Sequence, residues 1–172
     1  MKGLSLTQPW ASLIAIGAKR IETRSWYPSY RGPIAIHASK GFPAWAREAC
    51  DEDPFYEVLV QAHLLWPAGD ETLTFRAAER HTAIPLGAIV ATARLVDIEA
   101  TGDLAHAIGR AVLGEGGRWP LTKQEAAFGD YAAGRFAWLL DEIRPLPAPI
   151  PCKGALGLWN LPAEIAAQLG AL

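Results

Sequence analysis

No uninterrupted apolar run in the 172 residues approaches the eighteen or so that a membrane span requires. Met1-Lys2-Gly3 leads straight into patterned sequence with no apolar signal core, so a cytoplasmic protein with no membrane contact is expected. Cysteine is scarce: Cys50 and Cys152 are far apart and in no metal or redox spacing, which argues for two reduced thiols and against a disulfide framework. His37, His63, His81 and His106 form no His-x-His or His-x-x-x-His pair and have no clustered acids, so no metal site is expected. A Gly-x-Ser-x-Gly elbow, a phosphate-binding glycine loop and a dinucleotide fingerprint are all missing, and no cofactor is expected.

What the chain does contain is apolar bulk and an uneven distribution of charge. With 51% hydrophobic residues it can bury a sizeable core, and the length suits one domain over 1–172. A net charge of -2 and a pI near 6.1 speak against a nucleic-acid binder when taken as averages. However, residues 1–40 hold Lys2, Lys19, Arg20, Arg24, Arg31 and Lys40 against the single acid Glu22, a balance of +5. The remaining residues hold ten basic and 17 acidic side chains. Such asymmetry draws anions to the N-terminal part and keeps the rest soluble.

Periodicity outlines the elements. Leu4-Ser5-Leu6 alternates as a first strand, and Thr7 or Gln8 caps a short helix in which Trp10, Leu13 and Ile14 share a face and Gly17 ends the turn. From Arg20 to Trp26 a period of two puts Ile21, Thr23 and Ser25 on one face, and Arg20, Glu22, Arg24 and Trp26 on the other. Ile34 to Ala38 is a strand, followed by a helical insertion over about 41–84 with helices up to Ala49 and from Phe55 to Trp66. Ala88 to Ile98 reads as a strand covered on both faces, and 101–121 as a flexible loop containing the Gly-rich 114–117. Thr122-Lys123-Gln124-Glu125 is a capping box. Arg135 to Ile143 is a strand, the proline run Pro145 to Pro151 belongs at an edge or rim, Leu158-Trp159 closes the sheet, and a helix follows Pro162. Phe136, Trp138, Leu139 and Trp159 are assigned to the core. The class is α+β: a mostly antiparallel barrel of five to six strands decorated by short helices.

The stretch from Gly17 to Tyr27 gathers cations, a carboxylate and aromatic faces. Lys19 follows a helix-ending glycine, where its ammonium is expected to project into a cleft between helix and barrel. Arg24 offers a planar fork, and Trp26 and Tyr27 offer stacking surfaces for a base. With Arg20, Arg31 and Lys40 these form a candidate site for RNA or single-stranded DNA, and Lys19 with Glu22 is a candidate catalytic pair. The same spacing also describes a surface ion pair with Trp26 as a core anchor. His37 lies on the strand face opposite Ile34 and Ile36, and Lys153 either extends the basic cleft or is simply solvated.

The Leu4 to Leu13 run with its Gln8-Pro9-Trp10-Ala11-Ser12, the Gly17-x-Lys19-x-x-Glu22-x-Arg24-Ser25-Trp26 element, Arg31-Gly32, Gly134 to Trp138 and Gly154-x-x-Gly157-Leu158-Trp159-Asn160 together resemble the ASCH family, named for homology to an activating signal cointegrator. The resemblance implies a PUA-like barrel, a site beside the first helix at Lys19, Glu22 and Arg24, and RNA or single-stranded DNA as partner. It also implies two alternatives. One is a ribonuclease or a hydrolase of modified nucleosides, and the other is a coregulator-like interaction domain. In a branch of the family that hydrolyses N4-acetylcytidine, a lysine and a threonine of the element are catalytic. Lys19 matches the lysine, but Glu22 occupies the threonine position, and a carboxylate is suited to orienting a ligand or accepting a proton, not to acting as an acyl acceptor.

Overall fold

The computed structural model describes residues 1–65, 83–101 and 121–170. Six strands form one curled sheet in the order β2-β5-β4-β3-β1-β6. They are β1 (Lys2–Leu6), β2 (Ile21–Arg24), β3 (Gly32–Ala38), β4 (Ala88–Ala100), β5 (Phe136–Pro151) and β6 (Leu158–Asn160). Four of the five pairings are antiparallel and only β1 with β3 is parallel, so the expected mostly antiparallel class holds, as an open half-barrel with β2 and β6 at its edges. The helices are α1 (Trp10–Ala15), α2 (Ala44–Ala49), α3 (Phe55–Gln61), α4 (Lys123–Ala127) and α5 (Ala163–Gly170). The second insertion helix ends at Gln61, short of the expected Trp66, because the chain reverses at His63, φ 56°, whereas residues 66–82 of the insertion and nearly all of the loop at 101–121 lie outside the described residues.

The concave face of the sheet holds the main core, in which Leu4, Leu6, Ile34, Ile36, Ala91, Leu95, Trp138 and Leu140 close around Ile14 of α1. A helix with one apolar face would leave its other side wet, but Ala11 to Ala15 are all buried. The reason lies in the helical insertion: Leu13 points away from the sheet into a second cluster with Cys50, Phe55, Leu59 and Phe128. Gln8, fully buried, is satisfied by accepting from the Ser12 amide and donating to the Ser12 hydroxyl and the Pro85 carbonyl, and so ties α1 to the entry of β4.

The proline run behaves as its missing donors require, although it is continuous with the preceding strand. β5 runs without a break from Phe136 to Pro151. Its first part, Phe136 to Leu139, is flanked by β2 and β4, whereas Arg144 to Pro151 pairs with β4 alone and leaves its other side as an edge. Trp159 departs from the core assignment. Strand alternation turns Gly3 and Ser5 away from Leu4 and Leu6, and Trp159 covers Gly3 on that outer face while donating its indole N–H to Ser5 Oγ at 3.2 Å.

Gly3 is required by that contact, since a Cβ there would lie 2.6 Å from the Trp159 ring. Gly3→Ala is expected to cost about 1–3 kcal/mol in urea unfolding, as overpacking does. Gly41→Ala, where a Cβ meets nothing within 4 Å, should leave the midpoint unchanged. Equal midpoints for the two variants would refute the role given to Trp159.

Candidate functional site

The site is organised from the end of α1. Gly17, at φ +76°, lets the chain reverse, with its amide bonded to Ile14 O at 2.8 Å and the Lys19 amide to Leu13 O at 3.0 Å. This reversal turns the Lys19 side chain inward, where it is fully enclosed. Its ammonium donates to the Ile21 carbonyl and lies 3.5 Å from Glu125 Oε1. The same carboxylate accepts from the backbone amides of Arg20 at 2.7 Å and Ile21 at 3.2 Å. The expected capping box is therefore only half made. Thr122 accepts from the Glu125 amide at 3.0 Å, but the glutamate side chain turns to the buried ammonium, which cannot stand without a counter-charge.

Beyond this clasp, β2 presents Glu22 and Arg24 to a cavity of about 420 Å³. Trp10 and Trp45 form one wall, Phe128, Gly129 and Asp130 another, Leu6 and Thr7 line it at the end of β1, and Arg135 completes it. Arg24 Nε lies 3.0 Å from Glu22 Oε1 without the alignment of a hydrogen bond, and Arg24 Nη2 donates to the Ser5 carbonyl at 3.1 Å. Arg135 pairs with Asp130 at 3.2 Å. Trp10 is anchored by its N–H to Phe128 O at 2.8 Å, with the exposed Trp45 ring 5.6 Å away at 43°. Two guanidinium groups thus face two carboxylates, and the cavity is mixed in charge.

Behind it stands Tyr131, whose phenol is pushed well above its ordinary range by burial first and then by the Glu125 and Glu22 carboxylates. The phenol is close enough to Glu125 for that charge to act on its proton, yet not aligned for a hydrogen bond. It remains protonated at neutral pH and cannot serve as a base.

Of the expected site residues, only Glu22 and Arg24 meet in this cavity. Lys19 does not project into it; the ammonium is enclosed by its clasp. Arg20 pairs with Asp141 at 2.8 Å. Trp26 stands edge-on to Trp138 at 4.6 Å, as a core anchor would. Arg31 bonds the Pro28 and Tyr30 carbonyls and the Tyr27 hydroxyl, and so holds the turn that leads to β3. Tyr27 is itself exposed and rests against Phe136. Lys40 and Lys153 line a different cavity, with His37. Sequence reasoning missed Trp45, Asp130 and Arg135. An aromatic at the start of a helical insertion and an arginine after Gly134 carry no pattern until the fold brings them together.

A family model described as "ASCH domain" matches residues 4–138. Among curated proteins, "Activating signal cointegrator 1" of Homo sapiens and that of Mus musculus are each 51% identical over 41 residues, which is 24% of this chain and 7% of either protein. The crystal structure of ASCH from Zymomonas mobilis superposes with a TM-score of 0.52 at 17% identity, covering 99% of this chain and 94% of that one. A point mutant of the same protein gives 0.51 at 16% identity, covering 99% and 96%. At such identities the likeness shows the fold.

Two outcomes follow from the clasp and its surroundings. Lys19→Ala leaves the Glu125 carboxylate buried and unpaired, and should destabilise by about 3–5 kcal/mol in urea unfolding, with the double change Lys19→Met, Glu125→Gln recovering part of the loss. A Lys19→Ala protein within 1 kcal/mol of wild type, a margin far below about 3 kcal/mol, would overturn this account. Because Tyr131 holds its proton more tightly when folded, the unfolded chain alone ionises above about pH 10, so stability should fall there as pH rises. Tyr131→Phe should lose less stability across the same interval, and an identical decline would remove the effect.

Proposed function

The chain belongs to the ASCH domain family, and on that premise we propose that it binds RNA or single-stranded DNA, with one base entering the cavity beside α1. The observation that carries this reading is the composition of the cavity: a carboxylate and a guanidinium on one strand face, opposite the Trp10 and Trp45 rings, in a space of about 420 Å³. Aromatic faces stack any base, and a carboxylate accepts from an exocyclic amine while a guanidinium donates to ring nitrogens and carbonyls. Phosphates alone would call for cations without compensating acids, and here Arg24 and Arg135 are each paired. The cavity therefore suits a base edge, while cations outside it meet the backbone.

The hydrolytic alternative with Lys19 and Glu22 gains less from the geometry. Glu22 faces the cavity and has the chemistry of a general base, but the Lys19 ammonium is committed to Ile21 and Glu125. In a binding site Lys19 acts as a positioning residue, since it fixes the start of the strand that bears Glu22 and Arg24.

The test is fluorescence anisotropy with short labelled single strands at low salt, with strand integrity followed in chelator. Trp45→Ala removes an exposed stacking face, worth about 1–3 kcal/mol per base, and should weaken binding about five- to a hundredfold. Arg24→Ala should weaken it as well. No binding at low salt, or wild-type affinity in both variants, would sink the proposal, and strand cleavage abolished by Glu22→Gln would replace it with the hydrolytic reading.

A further inference from the structure

A second cavity, of about 590 Å³, flanks the same end of β1. Alternation within β1 turns Ser5 away from Leu6: Leu6, with Thr7 just past the end of the strand, lines the first cavity, while Ser5 lines the second beside its register partner His37 of β3. Lys40 and Lys153 line it too, both exposed, and neither forms an ion pair among the described residues. Among the described residues no carboxylate belongs to its lining, in contrast to the two acids of the first cavity. The acid acting nearby is Glu164 of α5, which together with burial pushes the Cys152 thiol up.

His37 is the built part of this site. The residue is 3% exposed, and Nε2 lies 2.9 Å from the Cys152 carbonyl. A carbonyl only accepts, so Nε2 donates to it, and the other ring nitrogen, Nδ1, faces the Gly154 backbone. That nitrogen is buried and has no hydrogen-bond partner. The Nε2 bond holds the segment that carries Lys153 and Gly154. A side chain at Gly154 would collide with the His37 ring and with Ser5 Oγ, so the close approach of backbone, imidazole and hydroxyl requires glycine there. The Ser5 oxygen already accepts from Trp159 Nε1, which leaves its hydrogen to be donated. Two ammonium groups and a hydroxyl donor around a cavity whose described lining holds no acid have the chemistry of an oxyanion site, and the buried His37 ring holds the Cys152 to Gly154 side of it in place.

We infer that this second cavity is a phosphate-binding subsite, taking a phosphoryl group either from the strand whose base occupies the first cavity or as free phosphate. The strand source rests on the reading of the first cavity given above; the subsite itself does not. Nucleic acid crossing the end of β1 would place a base on one side of that strand and a neighbouring phosphate on the other.

Inorganic phosphate titrated into the labelled protein should give saturable amide shifts at Ser39, Gly154 and Ala155 in two-dimensional NMR. The shifts should vanish in the double variant Lys40→Ala, Lys153→Ala, whose changes lie at the surface, and chloride at equal ionic strength should not reproduce them. No saturable shift, shifts that persist in the double variant, or the same shifts with chloride would overturn the subsite. With single-stranded oligonucleotides, a log–log salt slope flattened by about 0.7 for each lysine removed assigns the phosphate to the strand. An unchanged slope, with the phosphate response lost, assigns the site to free phosphate. Trp45→Ala keeps the two readings apart: it should weaken oligonucleotide binding and leave the phosphate shifts intact.

Discussion

A fully enclosed ammonium must have a counter-charge, and the way Lys19 meets that demand governs the rest of the site. Its partner, Glu125, comes from a helix far along the chain, and the same carboxylate collects the Arg20 and Ile21 amides at the entry of β2. One buried ion pair thus sets where the edge strand begins and which way it faces. From that origin the period of two aims Glu22 and Arg24 together into the cavity, and places Ile21 against Leu121 and Leu139 on the other side. The desolvation of both charges makes the arrangement intolerant of losing either partner, which is a property of a registering device more than of a stabilising one.

The two cavities share an architectural cause. Strand β1 is short, and α1 leaves from its end to plug the concave face of the sheet, so backbone and side chains around Ser5, Leu6 and Thr7 are not covered by a further strand. On one side the gap is walled by Trp10, Trp45 and the α4–β5 connection; on the other it is walled by the segment after the proline run. Among the described residues, the first has balanced charge and aromatic faces, and the second has lysines and no acid. That division corresponds to the two chemistries of a nucleotide, a planar base and an anionic backbone.

Much of the fold was legible in the chain because its signals are local. Alternation in Leu4-Ser5-Leu6, glycine at position 17, the missing donors of Pro145 to Pro151 and the apolar Ala88 to Ile98 run each report on a few neighbouring residues, and each corresponds to an observed element. Trp159 was misassigned because an aromatic in a strand announces burial without saying on which face, and the outer face is settled by its pairing with Gly3. The site was legible in part. Glu22 and Arg24 share a face by periodicity, whereas the enclosure of Lys19 depends on Glu125, whose sequence context reads as an ordinary capping box.

Sequence alone determined that the chain is an α+β protein with a cationic N-terminal part, and that a carboxylate and a guanidinium sit two residues apart on one strand face. These follow from composition and from the intrinsic period of a strand, which need no partner. Only the tertiary structure decided that Lys19 is a buried clasp, that Trp45, Asp130 and Arg135 complete the first cavity, and that Lys40, Lys153 and His37 belong to a second. Those decisions come from contacts between residues distant in sequence, where burial and charge compensation are set by what the fold brings alongside.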